Sequence, residues 1–275
     1  MTSTHELYAK AQQIRRLLLD MVFRAKAGHT GSSLSNTDIL VTLYYAVMRN
    51  DPKDPGWPDR DRFVLSKGHG VESLYCILAD RGFFALDELQ TFCQFGSRLI
   101  GHPNNKVPGI EVNTGALGHG LAMGVGMAKA LQMDNASSRV FVLLGDGELA
   151  EGSVWEAAMA AAHFRLANLT AIVDRNRLQI TGDTEAVMAV EPLTEKWYSF
   201  GWQTVEIDGH DHGQLLDVLA ADAEAAQPRV VIAHTTKGRG VSYMENDPHW
   251  HHGVPDAEQF RQACLEIEQE MENHG

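Results

Sequence analysis

Four short apolar runs constrain the fold of this 275-residue chain more than any other feature of it. Each run is rich in β-branched residues or leucine and ends at polar or glycine turns; the runs cover residues 140–144, 169–173, 203–207 and 230–233. Continuous apolar runs of this length are typical of parallel strands that are buried on both faces. Residues 153–166 are alanine-rich and contain neither glycine nor proline, so they predict a helix between the first two strands. The sequence therefore predicts an α/β fold with a central, mostly parallel sheet.

Two helices and a loop are expected ahead of the first of these strands. The N-terminal segment predicts an amphipathic helix that ends near Gly28, because its apolar residues follow a 3.6-residue period at Leu7, Ile14, Leu17, Leu18, Met21 and Val22. A second helix is predicted to follow Asn36, since Asn36 and Asp38 supply capping side chains ahead of an apolar run. Residues 51–58 are rich in proline and predict a loop. We expect one domain over residues 1–275.

Composition limits the partners and the compartment. The formal charge of −13 and the pI of about 5.4 disfavour nucleic acid and anionic membrane surfaces, so an anionic cofactor needs a local cluster of cations or a metal. The first residues lack the basic and apolar regions of a signal peptide, and no apolar stretch approaches a membrane span of roughly 20 residues. Cys76, Cys93 and Cys264 are scattered. A reducing cytoplasm is therefore expected.

Polar side chains follow two of the predicted strands. Asp146 lies in a Gly-Asp-Gly-Glu motif directly after the first strand, and Asn176 follows the next one, thirty residues further on. The carboxyl ends of parallel strands are where α/β folds bind ligands, and carboxylate and amide oxygens suit a hard cation such as Mg²⁺. The Leu178 carbonyl could add a third ligand, and Gly147 would let its N–H approach an anion closely. A simple turn after one strand and a cap after the other is the alternative interpretation of these residues.

The spacing of these motifs, and the motifs around them, resemble the first, pyrophosphate-binding segment of transketolases. The resemblance is strongest to the separately encoded N-terminal subunits of bacteria and archaea. It runs along most of the chain, through AKAGHTGSSLS (25–35), RDRFVLSKGHG (60–70), GHP (101–103), NTGALGHG (113–120), GDGELAEGSVWEA (145–157), DRNRLQITG (174–182) and HTTKGRGVSYMEN (234–246). It implies the thiamine-diphosphate-binding fold, with helices on both faces of the sheet, and two-carbon ketol transfer from a ketose to an aldose.

The resemblance also implies a role for particular residues. Asp146, Asn176 and the Leu178 carbonyl would ligate Mg²⁺, or Ca²⁺ or Mn²⁺ in its place. The diphosphate would be bound by Ser32, His69, the Gly147 N–H and Lys237, and the aminopyrimidine would lie against Gly115, Ala116 and Leu117.

Histidines are the candidate catalytic groups, because their ordinary pKa lies near neutrality. The resemblance implies that His29, His102 and one histidine of the sequence PHWHHG (248–253) contact the donor sugar and move protons. Alignment on Trp250 favours His251, which would also contact the cofactor, and leaves His252 open. A metal site in this cluster is the alternative. Glu151 matches an acid that couples two cofactors across a dimer, although a solvated glutamate in a first helical turn explains it as well.

The sequence departs from the family pattern at two residues, and it lacks the family's pyrimidine-binding domain. Thr30 stands where proline is usual and could loosen a turn, and His119 stands where glutamine is usual; both hint at a specialised substrate. The pyrimidine-binding domain is expected on a separate C-terminal subunit, in an assembly of two copies of each chain. The substrates would be sugars or sugar phosphates. The alternatives are half of another thiamine-diphosphate carboligase, similar to deoxyxylulose-phosphate synthase, and a non-catalytic binding subunit.

Overall fold

The computed structural model describes residues 2–221 and 226–273. Within them, one sheet contains five strands that all pair in parallel, in the order β1-β2-β3-β7-β6. Its strands are β1 (Arg62–Leu65), β2 (Val140–Gly145), β3 (Leu169–Arg175), β6 (Gln203–Asp208) and β7 (Arg229–His234). A two-stranded antiparallel hairpin, β4 (Leu178–Gln179) and β5 (Gly182–Asp183), follows β3. The four predicted strands are confirmed, whereas β1 and the hairpin were not predicted.

Helices connect the strands and cover the sheet. The α-helices of the described residues are α1 (Thr4–Ala25), α2 (Thr30–Thr42), α3 (Val71–Arg81), α4 (Gly120–Met133), α5 (Gly152–His163), α6 (Thr184–Val187), α7 (Leu193–Ser199), α8 (His212–Ala220) and α9 (Ala257–Asn273). A π-helical turn (Leu43–Val47) extends α2, and short 3₁₀ turns cover Gly68–Gly70, Leu86–Thr91, Gly147–Ala150 and Pro248–His252. The helix predicted after β2 is α5, and residues 51–58 form turns as predicted.

The sheet is buried on both faces, which explains why its strands lack a polar alternation. Phe141 and Leu143 of β2 belong to one core, which α1, α2 and α3 also line. Val142 and Leu144 of the same strand belong to a second core, with residues of α4 and α5. The expected α/β architecture with helices on both faces is confirmed.

The expected start of the second helix is wrong. Helix α2 begins at Thr30, not after Asn36, so Asn36 and Asp38 lie inside it and are buried. Asn36 donates to the Gly70 carbonyl and accepts from Ser73, and Asp38 pairs with Arg15. These side chains resemble caps in the sequence because their tertiary partners are far away along the chain. The earlier start places His29 at the N-terminus of α2.

The N-terminal helix follows the prediction closely. Helix α1 is closed at its start by a capping box of Ser3 and Glu6, and it ends at Ala25, just before Gly28. In the part of the chain that the structure describes, every helix is too short or too polar to cross a membrane.

Candidate active site

A cleft of about 420 Å³ opens at the carboxyl edge of strands β2, β3 and β7. Of the residues to which the sequence analysis assigns the metal, the cofactor or the main catalytic contacts, all but Ala116 line it, namely His29, Ser32, His69, His102, Gly115, Leu117, Asp146, Gly147, Asn176, Leu178, Lys237 and His251. Ala116 is exposed between two of these residues. Because parallel strands end at one edge, residues that are far apart in sequence meet there.

Asp146 is fixed at one end of the cleft. The sheet register sets Gly145 opposite Asp174, so Asp146 lies just beyond the paired ends of β2 and β3. Its carboxylate is buried and accepts from the Gly147 N–H at 2.8 Å, the Arg177 N–H at 2.6 Å and Arg175 Nη1 at 2.9 Å. The side chain therefore has a single orientation, held by groups of two segments.

Other oxygens surround this carboxylate. Asn176 is buried and its Oδ1 accepts from the Leu178 N–H at 3.1 Å, while the Leu178 carbonyl accepts from Lys237 Nζ at 3.2 Å. One carboxylate, one amide and one carbonyl at the same end form a set of oxygen donors that suits a hard divalent cation.

Lys237 and His251 pair beside these oxygens. Lys237 Nζ lies 2.9 Å from His251 Nδ1, and an ammonium can only donate, so Nδ1 accepts and the neutral ring carries its proton on Nε2. Burial lowers the pKa of Lys237 to about 8, and nearby Lys67 adds to this effect. Burial is the main cause that lowers the pKa of His251 to about 3, and the charge of Lys237 adds to it. His251 is therefore a neutral hydrogen-bonding group near neutral pH.

Histidine rings line a second part of the cleft, here called the histidine end, and His251 joins it to the oxygen-lined end. The ring of His29 lies 5.8 Å from that of His69, 5.6 Å from His102, 5.8 Å from His251 and 4.8 Å from His252. Burial and the Lys67 charge lower the pKa of His69 well below its ordinary value, and burial also lowers that of His102. Imidazole rings that lie this close together can donate and accept protons at a bound hydroxyl.

The PHWHHG segment resolves into three different environments. His251 lines the cleft, His252 is exposed with its ring against His29, and His249 is exposed and bonded to Asp247. Gly31 makes this packing feasible, since a Cβ there would lie 2.8 Å from the Trp250 carbonyl oxygen.

A buried ion pair between Lys67 and Asp174, which the sequence did not reveal, lies beneath the cleft. Lys67 is fully buried, forms an ion pair with Asp174 and donates to the Ser32 carbonyl at 3.3 Å. Asp174 also accepts from Ser35 at 2.6 Å and from Thr235. The pair thus joins α2, the segment after β1, and β3 beneath the site. Lys67 stands inside the Ser-Lys-Gly-His motif, but its partner lies 107 residues away in sequence, and no local pattern reveals such a pair.

Glu148 was also missed. It is buried and accepts from the Gly118 N–H at 2.9 Å, the Gly145 N–H at 3.1 Å and Ser66 Oγ. Burial raises its pKa. The contact with Gly118 holds the loop that carries Gly115 and Leu117 against the end of β2. In this loop the backbone of Gly115 lies against the His102 ring, since a Cβ there would approach the ring at 3.3 Å.

Arg175 extends from β3 to the segment that follows it. Its guanidinium contacts Asp146, Thr184 Oγ1 at 2.7 Å, and Glu185 and Glu191 at 2.8 Å each. The charge next to Asp146 is thereby balanced by carboxylates that lie outside the cleft.

The departures from the family pattern differ in their surroundings. Thr30 is buried and donates to the Gly253 carbonyl at 2.6 Å, so it ties the PHWHHG segment to α2 rather than loosening the turn. His119 is exposed just before α4. Glu151 is exposed at the N-terminus of α5, close to Gly118, where a Cβ would lie 2.6 Å from that of Glu151.

Two buried polar atoms of the cleft stand out. Within the described part of the chain, neither Ser32 Oγ nor His29 Nδ1 has a hydrogen-bond partner. Buried polar atoms are normally satisfied, and these two lie in a cleft that also holds Lys237 and the oxygens around Asp146. The residues present therefore fit a polar anionic ligand with a divalent cation. Over residues 2–221 and 226–273, no group of three or more His, Cys, Asp or Glu side chains is arranged to hold a metal ion.

Fold and cleft define an α/β enzyme whose site lies at the carboxyl ends of parallel strands. The chain belongs to the transketolase family: residues 7–266 match the family described as transketolase, thiamine diphosphate binding domain. It is therefore an N-terminal, thiamine-diphosphate-binding subunit of a transketolase.

Two similar relatives are themselves named as subunits. The chain is 49% identical to an apulose-4-phosphate transketolase subunit from Phocaeicola vulgatus, over 97% of this chain and 95% of that one. It is 40% identical to the 6-deoxy-6-sulfo-D-fructose transketolase subunit SqwG of a Clostridium species, over 96% of this chain and 97% of that one.

Among solved structures, the Pichia stipitis transketolase in complex with sedoheptulose-7-phosphate superimposes with a TM-score of 0.87 at 32% identity. The match covers 99% of this chain but only 44% of that one. The chain thus spans less than half the length of the solved transketolase.

Proposed function

We propose that this chain supplies the diphosphate- and metal-binding half of a two-chain transketolase, which moves a two-carbon ketol unit from a ketose to an aldose. The observation that carries the proposal is that the cleft has two chemically different parts. Oxygen donors around Asp146 lie beside the cation of Lys237, and a group of histidine rings lines the rest of the cleft.

At the oxygen-lined end, Asp146, Asn176 and the Leu178 carbonyl would bind Mg²⁺, or Ca²⁺ or Mn²⁺ in its place. Lys237, His69, Ser32 and the Gly147 N–H would bind the diphosphate. In the structure Lys237 donates to the Leu178 carbonyl, the oxygen assigned here to the metal. We infer that Lys237 turns from this carbonyl to a phosphate oxygen on binding, because a cation on the carbonyl repels the ammonium.

At the other end, the chain's own residues position and protonate the sugar. When bound, thiamine diphosphate supplies the electron sink for cleavage of the carbon–carbon bond. Gly115, Ala116 and Leu117 would support its aminopyrimidine, and Glu148 fixes this loop through Gly118. His29, His102 and His251 would hold the donor hydroxyls, with His251 donating from Nε2 because Lys237 occupies Nδ1. Glu151 remains our candidate for coupling two sites.

The rest of the active site would come from a partner. For that partner we propose a pyrimidine-binding subunit, in an assembly of two copies of each chain, with residues 1–275 forming one pyrophosphate-binding domain. The support is that the relatives which this chain covers almost fully are named as subunits. The three cysteines are free, which fits the cytoplasm as the compartment.

The relatives also narrow the donor. One is named for apulose-4-phosphate and the other for 6-deoxy-6-sulfo-D-fructose, so we propose a ketose that carries an anionic group, with apulose-4-phosphate as the first candidate.

Reconstitution tests the proposal. The full chain is mixed with a pyrimidine-binding transketolase subunit, thiamine diphosphate and MgCl₂. The mixture is then supplied with an aldose acceptor and one of apulose-4-phosphate, 6-deoxy-6-sulfofructose, xylulose-5-phosphate or pyruvate. We expect ketol transfer only from the mixture and only with a ketose donor. Full activity of this chain alone would refute the split site, and turnover of pyruvate instead of a ketose would refute the reaction class. Native mass spectrometry of the mixture gives the stoichiometry.

A further inference from the structure

A buried polar cluster lies behind the cleft, around Asp38 in the middle of α2. Arg15 of α1 donates to both oxygens of this carboxylate, at 3.0 and 2.5 Å, and all but about 4% of the Asp38 side chain is buried. Although burial alone would raise it, the Arg15 guanidinium and two histidines bring the pKa of Asp38 well below its ordinary value. Asp38 is therefore ionised and can only accept hydrogen bonds.

His210 joins this cluster to the segment that carries Lys237. Its Nδ1 lies 2.7 Å from Asp38 Oδ2, and its Nε2 lies 2.8 Å from the Thr236 backbone nitrogen. Asp38 requires a donor at Nδ1, and the Thr236 N–H requires an acceptor at Nε2. Both requirements give the same form of the ring, with one proton, on Nδ1.

The Thr236 amide is the point at which this ring can orient Lys237. The neighbouring amides are held by main-chain oxygens: Thr235 N–H donates to the Arg175 carbonyl and Gly238 N–H to the Gly31 carbonyl. Thr236 N–H is instead held by the side chain of His210, one residue before Lys237. Lys237 is buried, and with the backbone in this orientation its Nζ reaches the Leu178 carbonyl and His251 Nδ1.

We propose that His210 is a positioning residue for cofactor binding: through the Thr236 amide it holds Lys237 in the cleft, in a chain that runs from Arg15 through Asp38 to the diphosphate end of the site. The last link rests on the proposed function, because it assumes that Lys237 binds the diphosphate. The first link, from His210 to Thr236, does not.

Backbone amide exchange of the full chain tests the first link. His210→Leu removes the acceptor, so we expect the Thr236 amide to exchange roughly tenfold faster. His210→Gln retains an acceptor oxygen at comparable reach, and should restore most of the protection. His212→Leu is the matched control, because His212 also approaches Asp38, at 3.4 Å, but bonds Thr42 on the other side of the cluster. Unchanged exchange at Thr236 in His210→Leu, or equal acceleration in His212→Leu, would overturn the proposal.

Titration of the reconstituted complex with thiamine diphosphate at fixed MgCl₂ tests the second link. We expect His210→Leu to weaken binding about fivefold to tenfold, as for one lost hydrogen bond, and His210→Gln to weaken it less. In a Lys237→Met background, His210→Leu should add less than about a twofold loss, because its effect passes through Lys237. Two losses that multiply fully would mean that His210 acts by another route.

The two arms separate the failure of this inference from that of the proposed function. If Lys237→Met leaves the affinity unchanged, the assignment of Lys237 to the diphosphate is wrong, whatever His210 does. If Lys237→Met weakens binding and His210→Leu does not, the positioning role alone is refuted.

Discussion

The two ends of the cleft are built in different ways. At the oxygen-lined end, Asp146 and Asp174 are buried and bonded to Arg175 and Lys67, so each charge has a fixed partner. At the histidine end, rings contact one another, His29 Nδ1 has no hydrogen bond within the described residues and lies 3.8 Å from Glu72, and His252 is exposed. Fixed partners for the charges suit a cofactor that never changes, with the open Ser32 hydroxyl left for its diphosphate, whereas the looser histidine rings suit a sugar whose hydroxyls complete the network. The difference supports the proposal that the histidine end binds the sugar.

The largest effect is expected for Asp146→Asn, which removes the only carboxylate of the proposed metal site. Loss of an outer-shell partner typically costs about 10- to 100-fold in metal affinity, so loss of a direct ligand should exceed about 100-fold. Calorimetric titration of the reconstituted complex with thiamine diphosphate and Mg²⁺ measures this loss. Asp134→Asn, on the surface after α4, is the control, and equal affinities in the two variants would remove Asp146 from the metal site.

Breaking the ion pair beneath the cleft tests how rigid the oxygen-lined end is. Lys67→Met leaves Asp174 buried without its cation, so the free energy of unfolding should fall by about 3–5 kcal/mol. Urea denaturation of the full chain gives this value. Lys10→Met is the matched control: its ion pair with Asp80 is partly exposed, and its loss should cost less than about 1 kcal/mol. Similar losses in the two variants would mean that the buried ion pair stabilises the chain no more than the partly exposed one.

The histidine end should affect turnover but not cofactor binding. For His29→Asn we expect kcat of ketol transfer to fall by about 100-fold, the range of one general acid–base group, while the affinity for thiamine diphosphate stays within about threefold. Steady-state kinetics and titration of the same preparation separate the two quantities. A parallel fall in both would mean that His29 belongs to the cofactor end.

The smallest effect is a dependence on pH. It has opposite signs for the affinity for thiamine diphosphate and for the stability of the free chain. Burial lowers the pKa of Lys237 to about 8, so its charge is present below pH 8 and is lost above it. The affinity for thiamine diphosphate should therefore decline as the pH rises past about 8, by less than about tenfold per unit. The free chain behaves oppositely: between about 8 and the ordinary value of 10.5, loss of the buried charge makes this group's contribution to stability rise with pH. Lys237→Met should flatten both profiles, and a slope that survives this substitution comes from another group.

The sequence predicted the regular parts of this architecture well. The strands β2, β3, β6 and β7 are readable because burial on both faces leaves a continuous apolar signal. Strand β1 was missed since it is four residues long and begins with Arg62. The start of α2 was misplaced because Asn36 and Asp38, typical capping residues, have tertiary partners instead.

For the site, too, local patterns were predictable and tertiary contacts were not. Asp146, Asn176 and the histidines stand in motifs with local spacing, so the sequence could bring them forward, and the structure brings them to one cleft. Lys67, Glu148 and His210 act through partners that lie 107, 30 and 26 residues away. Which partner a buried charge takes depends on tertiary packing, and a single sequence does not contain that information in any local pattern.

The Ser32 hydroxyl, which no described residue meets with a hydrogen bond, has a consequence for engineering and for evolution. A buried polar atom without a partner destabilises a fold by roughly 1–3 kcal/mol. Replacement of Ser32 by alanine is therefore an easy route to a more heat-resistant chain. A selection for thermal resistance alone would favour that change. If Ser32 binds the diphosphate as proposed, the selected proteins would be more stable but would bind the cofactor more weakly. Screens for robust variants of this chain need the cofactor in the assay from the first round.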